Sequence, residues 1–176
     1  MKRMIALFLL IGFCLSACSR VGKADSMDLL SALEERDIDV LLDEVVSGAD
    51  TRTESGYVGA VRLSFCSDTS GKVERITLTC LNASDPDFLR LSQTLAEIYC
   101  GVSAELFSRL WQTLTADAET GGVQQCRTEQ YQFTYSADAM GAVFVIDDQL
   151  LHPTEPPSVT VRATVPLLKE SESAPR

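Results

Sequence analysis

The chain has 176 residues, the length of one domain. Its 15 Lys+Arg against 25 Asp+Glu give a formal charge of −10, with 45% hydrophobic and 23% charged residues. That is enough apolar material for a packed core, and the wrong sign for a nucleic-acid partner, whose phosphates require a basic surface. A single histidine removes most histidine-based catalysis and histidine-rich metal centres, although six cysteines remain.

In chain order, Lys2 and Arg3 precede an apolar run from Met4 to Leu15. Twelve residues are too few to cross a bilayer, which takes about 20, but suit the core of a signal peptide. Leu15-Ser16-Ala17-Cys18 follows, a branched apolar residue, two small residues and a cysteine. This segment resembles the lipobox signal peptide of bacterial lipoproteins. The resemblance implies removal of residues 1–17, a diacylglyceryl thioether on Cys18, and a membrane-anchored protein on the extracytoplasmic face of the cell membrane or outer membrane. Ser19, where retained lipoproteins carry Asp, implies the outer membrane if the cell is Gram-negative. Cleavage would leave 159 residues with 13 basic against 25 acidic side chains, a charge of −12, and four unmodified cysteines.

Residues 18–25 read as a short lipidated tether. Ser26 is a candidate N-cap, and Leu29, Leu30, Leu33, Val40, Leu41, Leu42, Val45 and Val46 follow at helical spacing up to Gly48, with Asp37-Ile38-Asp39 as a point of division. The acids of this stretch read as a solvated helix face. A hairpin comes next: Val61, Leu63 and Phe65 alternate with polar residues, as do Ile76, Leu78 and Cys80, around the turn composition of Ser67 to Lys72.

Two helices should then form. One is capped at Ser84 or Asp85, carries Pro86 in its first position and ends at Gly101, with Phe88, Leu91, Leu95 and Ile98 inward. The other starts at Ser103, with Leu106, Phe107, Leu110, Trp111 and Leu114 inward. A second hairpin echoes the first. Leu63–Val73 aligns without gaps on Phe133–Val143 at an offset of 70 residues, sharing alternation, Asp, Gly and Val. Turn chemistry alone explains the shared Asp-x-x-Gly, so duplication and convergence both remain open. Pro153, Pro156 and Pro157 form a connector, Ser158 to Val165 reads as a last strand at a sheet edge, and residues 166–176 as a flexible tail.

The expected fold is therefore α+β: a mostly antiparallel sheet of about five strands with helices on one face, forming a single domain over 26–165. Extracytoplasmic location permits disulfides. A helix from Pro86 to Cys100 is about 22 Å long and can return Cys100 to the turn end beside Cys66, while the next helix carries Cys126 back toward Cys80. The expected pairs are Cys66–Cys100 and Cys80–Cys126, with four buried thiols as the alternative. No phosphate loop, nucleophile elbow or Cys-x-x-Cys pair is present, His152 stands in the connector, and Asp147-Asp148 reads as a strand-end pair of turn acids. The reading is a non-enzymatic binding or envelope-assembly module with a protein partner in the envelope, no catalytic residue, no metal and no cofactor. The alternative is an extracytoplasmic enzyme using a Cys thiolate or a carboxylate pair.

Overall fold

A computed structural model describes residues 24–116 and 122–150. The lipobox segment, His152, the proline connector, the strand expected over 158–165 and the tail all lie outside the described residues. Helix α1, Ser26–Glu34, is capped not by Ser26 but by Asp25, whose Oδ1 accepts from the Asp28 N–H at 2.8 Å. Asp25 also bridges Lys72, and the Val73 N–H donates to the carbonyl of Ala24 at 3.1 Å, so the end of the tether is stitched to the sheet. The helix stops where Asp37 takes a positive φ of 55°.

Beyond that stop the structure corrects the expected helix. Residues Leu41–Ser47 form strand β1, which turns through Gly48 into β2, Thr51–Val58, with the Gly48 N–H donating to the Thr51 carbonyl at 2.7 Å. Val40, Leu41, Leu42, Val45 and Val46 fit a helical stripe, but three are β-branched, and pairing from Leu41↔Tyr57 to Ser47↔Arg52 decides the outcome. β2 carries no alternating apolar signal in its sequence, Thr-Arg-Thr-Glu-Ser-Gly-Tyr-Val, and is identified only by its neighbours.

The expected hairpin is present as β3, Val61–Asp68, and β4, Val73–Cys80. Asp68 Oδ1 organises its turn by accepting from the N–H groups of Ser70 and Lys72. Helix α2, Pro86–Cys100, has Asp85 as N-cap, Pro86 in its first turn and Gly101 in the left-handed region at φ 67°. Helix α3, Ala104–Thr115, starts on Ser103 as its residues require. Leu106, expected inward on α3, is 51% exposed. Strands β5, Val123–Arg127, β6, Tyr131–Asp138, and β7, Gly141–Asp148, complete the described elements.

The fold is α+β with a seven-stranded antiparallel sheet in the order β1-β2-β3-β4-β7-β6-β5. The three described helices lie on one face. Leu63, Phe65, Ile76, Leu78, Phe133, Phe144 and Ile146 from the sheet meet Leu29 and Leu33 of α1, Phe88, Leu91 and Leu95 of α2, and Phe107 and Leu114 of α3. Trp111 stacks on Phe107 at 5.6 Å and sets its edge against Tyr135 and Phe144. The opposite face is polar and partly open to solvent, as antiparallel sheets allow.

The hairpin echo has a structural counterpart. Gly56↔Leu63 in β2–β3 recurs as Cys126↔Phe133 in β5–β6, an offset of 70 in each strand. Past the turn, Phe65↔Ile76 recurs as Tyr135↔Phe144, so the offset falls to 68 because the first turn is two residues longer. The two three-stranded meanders meet at β4–β7 about a pseudo-twofold through the pair Thr77↔Val145. Among the described residues β1 has no counterpart in the second meander; it is an extra strand laid on the outer edge of the first.

Candidate interaction surface

A cluster of titratable side chains lies where α2 ends against the starts of β4 and β6 and the end of β7. Tyr99 Oη donates to the Val73 carbonyl at 2.6 Å, and Tyr131 Oη donates to the Tyr99 carbonyl at 3.1 Å, with the two rings 5.3 Å apart. Gln130 Nε2 donates to Asp148 Oδ2 at 3.2 Å and to Tyr131 Oη at 3.0 Å. Burial, then the Asp148 charge, pushes the Cys100 thiol far above its ordinary value, and the same two causes raise Tyr99. Burial first, then Cys100, raises Tyr131. These groups keep their protons at neutral pH, so they act as donors and packing, and Cys100 is not a ready nucleophile.

Asp147 and Asp148 do not form a carboxylate pair. Consecutive strand residues face opposite ways. Asp147 meets Arg75 on the open face, while Asp148, 2% exposed, turns under the helices. Among the described residues no three His, Cys, Asp or Glu side chains are placed to hold a metal ion.

The cysteines also depart from expectation. All four described cysteines are thiols. Cys66 stands between the buried Phe65 and Ser67 of β3, so it points to the open face, whereas Cys100 belongs to a helix on the other side of the sheet. Cys80 on β4 and Cys126 on β5 are separated by three strand spacings, about 14 Å, where a disulfide needs Cα atoms within about 7 Å. The helices do return Cys100 to the turn end of β3–β4, but the sheet itself stands between it and Cys66.

The feature that invites a partner is β1. Edge strands present a row of unpaired N–H and C=O groups, normally blunted by lysine, proline or brevity. β1 is seven residues long and exposed throughout, with Leu41 73%, Leu42 45%, Val45 54% and Val46 53% exposed. Its register with β2 puts Leu42 and Val45 on the helix side and Leu41 and Val46 on the open side. Asp43 is the bulged residue between Leu42 and Glu44. Gly56 makes that course possible, because a Cβ there would stand 2.5 Å from the Leu41 carbonyl oxygen.

Next to this edge a cavity of about 450 Å³ opens between α1 and the start of β1. Met27, Leu30, Ser31 and Glu34 line it from one stripe of α1, with Ile38, Asp39, Val40 and Leu41 opposite. Leu29 and Leu33, on the other stripe of α1, are in the core. This surface is not visible from the helical spacing of Val40 to Val46, which reads as helix on either side of a division at Asp37-Ile38-Asp39. The β-branched Val40, Val45 and Val46, followed by Gly48-Ala49-Asp50, are the signal that points to a strand and a turn.

No protein-family model matches the chain, and comparison with curated proteins and with solved structures gives no match.

Proposed function

We propose that the chain is a lipid-anchored, extracytoplasmic, non-enzymatic module that binds a protein partner in the envelope. Anchoring rests on Lys2-Arg3, the apolar run and Leu15-Ser16-Ala17-Cys18, with Cys18 as the lipidated residue. Two or three acyl chains hold a domain at a membrane stably, where one would not. Binding rests on a single observation, the long apolar edge of β1. A binding rather than catalytic role is supported by the protonated state of Cys100 and by the opposed faces of Asp147 and Asp148. The net charge of −10 supports a partner other than nucleic acid.

The test has two arms. Labelled fatty acid should incorporate into the wild type and not into Cys18→Ser; secretion of an unmodified soluble protein would overturn the anchor. Membranes carrying the protein with a photo-crosslinking side chain at Val46 should yield the same crosslinked partner on repetition. Absence of any adduct there, beside adducts from an equally exposed position on another face, would overturn the binding role.

A further inference from the structure

We infer that the β1 edge takes up an extended peptide segment of another protein, one whose apolar side chains alternate with Lys or Arg, and that this segment adds an eighth strand with one end seated between α1 and β1. The inference rests on the proposed binding role and names its mode and the chemistry of its partner.

Three observations carry it. First, the backbone selects an extended ligand. β2 uses one side of β1 from Leu41 to Ser47, and among the described residues the sheet order leaves the other side open, so alternate residues turn their N–H and C=O groups outward. Second, the side chains select apolar neighbours. Leu42 and Val45 on one face, and Leu41 and Val46 on the other, would each flank a cross-strand residue of an added strand. The cavity continues this apolar track past the Leu41 end through Val40, Leu30 and Met27.

Third, the charge selects a basic partner and disfavours a second copy. Glu34 and Asp39 line the cavity, and Asp43 and Glu44 lie in the strand itself. Arg62 already pairs with Glu44 at 2.6 Å and lies over the Tyr57 ring, and Arg36 donates to the Ala32 carbonyl of its own helix, so the acids a partner would meet are Glu34, Asp39 and Asp43. Two β1 strands paired antiparallel about their centres would set Glu44 against Glu44 and Asp43 opposite Val45, gathering four carboxylates around only the two Arg62 side chains, an unfavourable like-charge balance. A strand with Lys or Arg at those positions meets opposite charge instead. The acids thus act as gatekeepers against self-pairing and as the specificity element for a basic strand.

The probes are two fluorescent octapeptides, one alternating valine with lysine and one alternating valine with glutamate, titrated by anisotropy against the full lipidated chain in detergent. The lysine peptide should bind at least tenfold more tightly. Hydrogen exchange with the lysine peptide bound should slow at amides of 41–47 and not at those of β5, the other edge. The exposed charge swap Glu34→Lys with Asp39→Lys should cut affinity for the lysine peptide at least tenfold and raise it for the glutamate peptide. Equal affinity for the two peptides, a charge swap without effect, or exchange protection away from β1 would overturn the inference. So would concentration-dependent dimerisation protecting the same amides, which would assign this edge to a second copy. Flat peptide responses beside a reproducible crosslinked partner at the membrane would remove strand addition while leaving the binding role standing.

Discussion

Gly141 runs so close to β4 that a Cβ on it would stand 2.3 Å from the carbonyl oxygen of Cys80. The residue also holds φ at +141°, a region that side-chain-bearing residues rarely adopt. It opens β7 at the seam where the two meanders join, beside the pair Cys80↔Ala142. Gly141→Ala therefore has to move backbone rather than a flexible side chain. The expected cost is about 3 kcal/mol, from strain plus a displaced strand, read as a lower urea midpoint. A loss under about 1 kcal/mol would show that the seam is softer than this packing implies.

The two tyrosines at the other end of the sheet stabilise by hydrogen bonding as well as by area. Tyr99→Phe keeps the ring but removes the donor to the buried Val73 carbonyl. The expected loss is on the order of 1–2 kcal/mol, the cost of stranding a buried acceptor. Tyr131→Phe should cost a comparable amount through the Tyr99 carbonyl, and the double variant should depart from additivity because the rings touch. Chemical denaturation of the four proteins checks both statements.

Stability should fall in alkali. Cys100, Tyr99 and Tyr131 are all raised in the folded state, so the folded chain keeps protons that the unfolded chain releases. Their contribution is fully present below the ordinary thiol value, about 8.5, and is lost progressively above it as pH climbs toward the raised folded values, with the tyrosines joining from about 10. Cys100→Ala should flatten the first part of that decline. A profile constant from pH about 7 to about 10.5 would refute the buried, protonated cluster.

Thiol chemistry separates the four cysteines. Cys66 lies on the open face and Cys126 is half-buried on the edge strand β5, while Cys80 is buried beneath the helices and Cys100, half-buried at the end of α2, is held protonated by its surroundings and Asp148. Under native conditions Cys66 should be alkylated first and Cys100 last, and denaturant should release four thiols. Non-reducing peptide mapping that recovers Cys66 joined to Cys100, or Cys80 to Cys126, would contradict the sheet geometry.

Much of this architecture was legible locally. Asp85-Pro86, Gly101 and Ser103 bound two helices because caps are satisfied within a turn of chain. The strands around Asp68 and Asp138 alternate cleanly because one face is buried. The edge strand was not legible. Val40 to Val46 fits a helix and a strand alike, and β2 offers only polar and small residues, so neither identifies itself without the other. The expected Cys66–Cys100 pair does not fit for a reason the strand pattern carries: helix length brings Cys100 to the right end of the sheet, but Cys66 alternates with Val61, Leu63 and Phe65 and so faces away from the helices.

The sequence by itself determined where helices start and stop, where two hairpins turn, which residues alternate inward, and that the chain is acidic. Caps, turns and alternation are contests among neighbours a few residues apart, and composition needs no fold at all. Only the tertiary structure decided that 41–47 is an edge strand, that the two meanders join through β4 and β7, and that Cys80 and Cys126 stand three strands apart. Each of those depends on which distant strand offers its backbone, and no local preference carries that information.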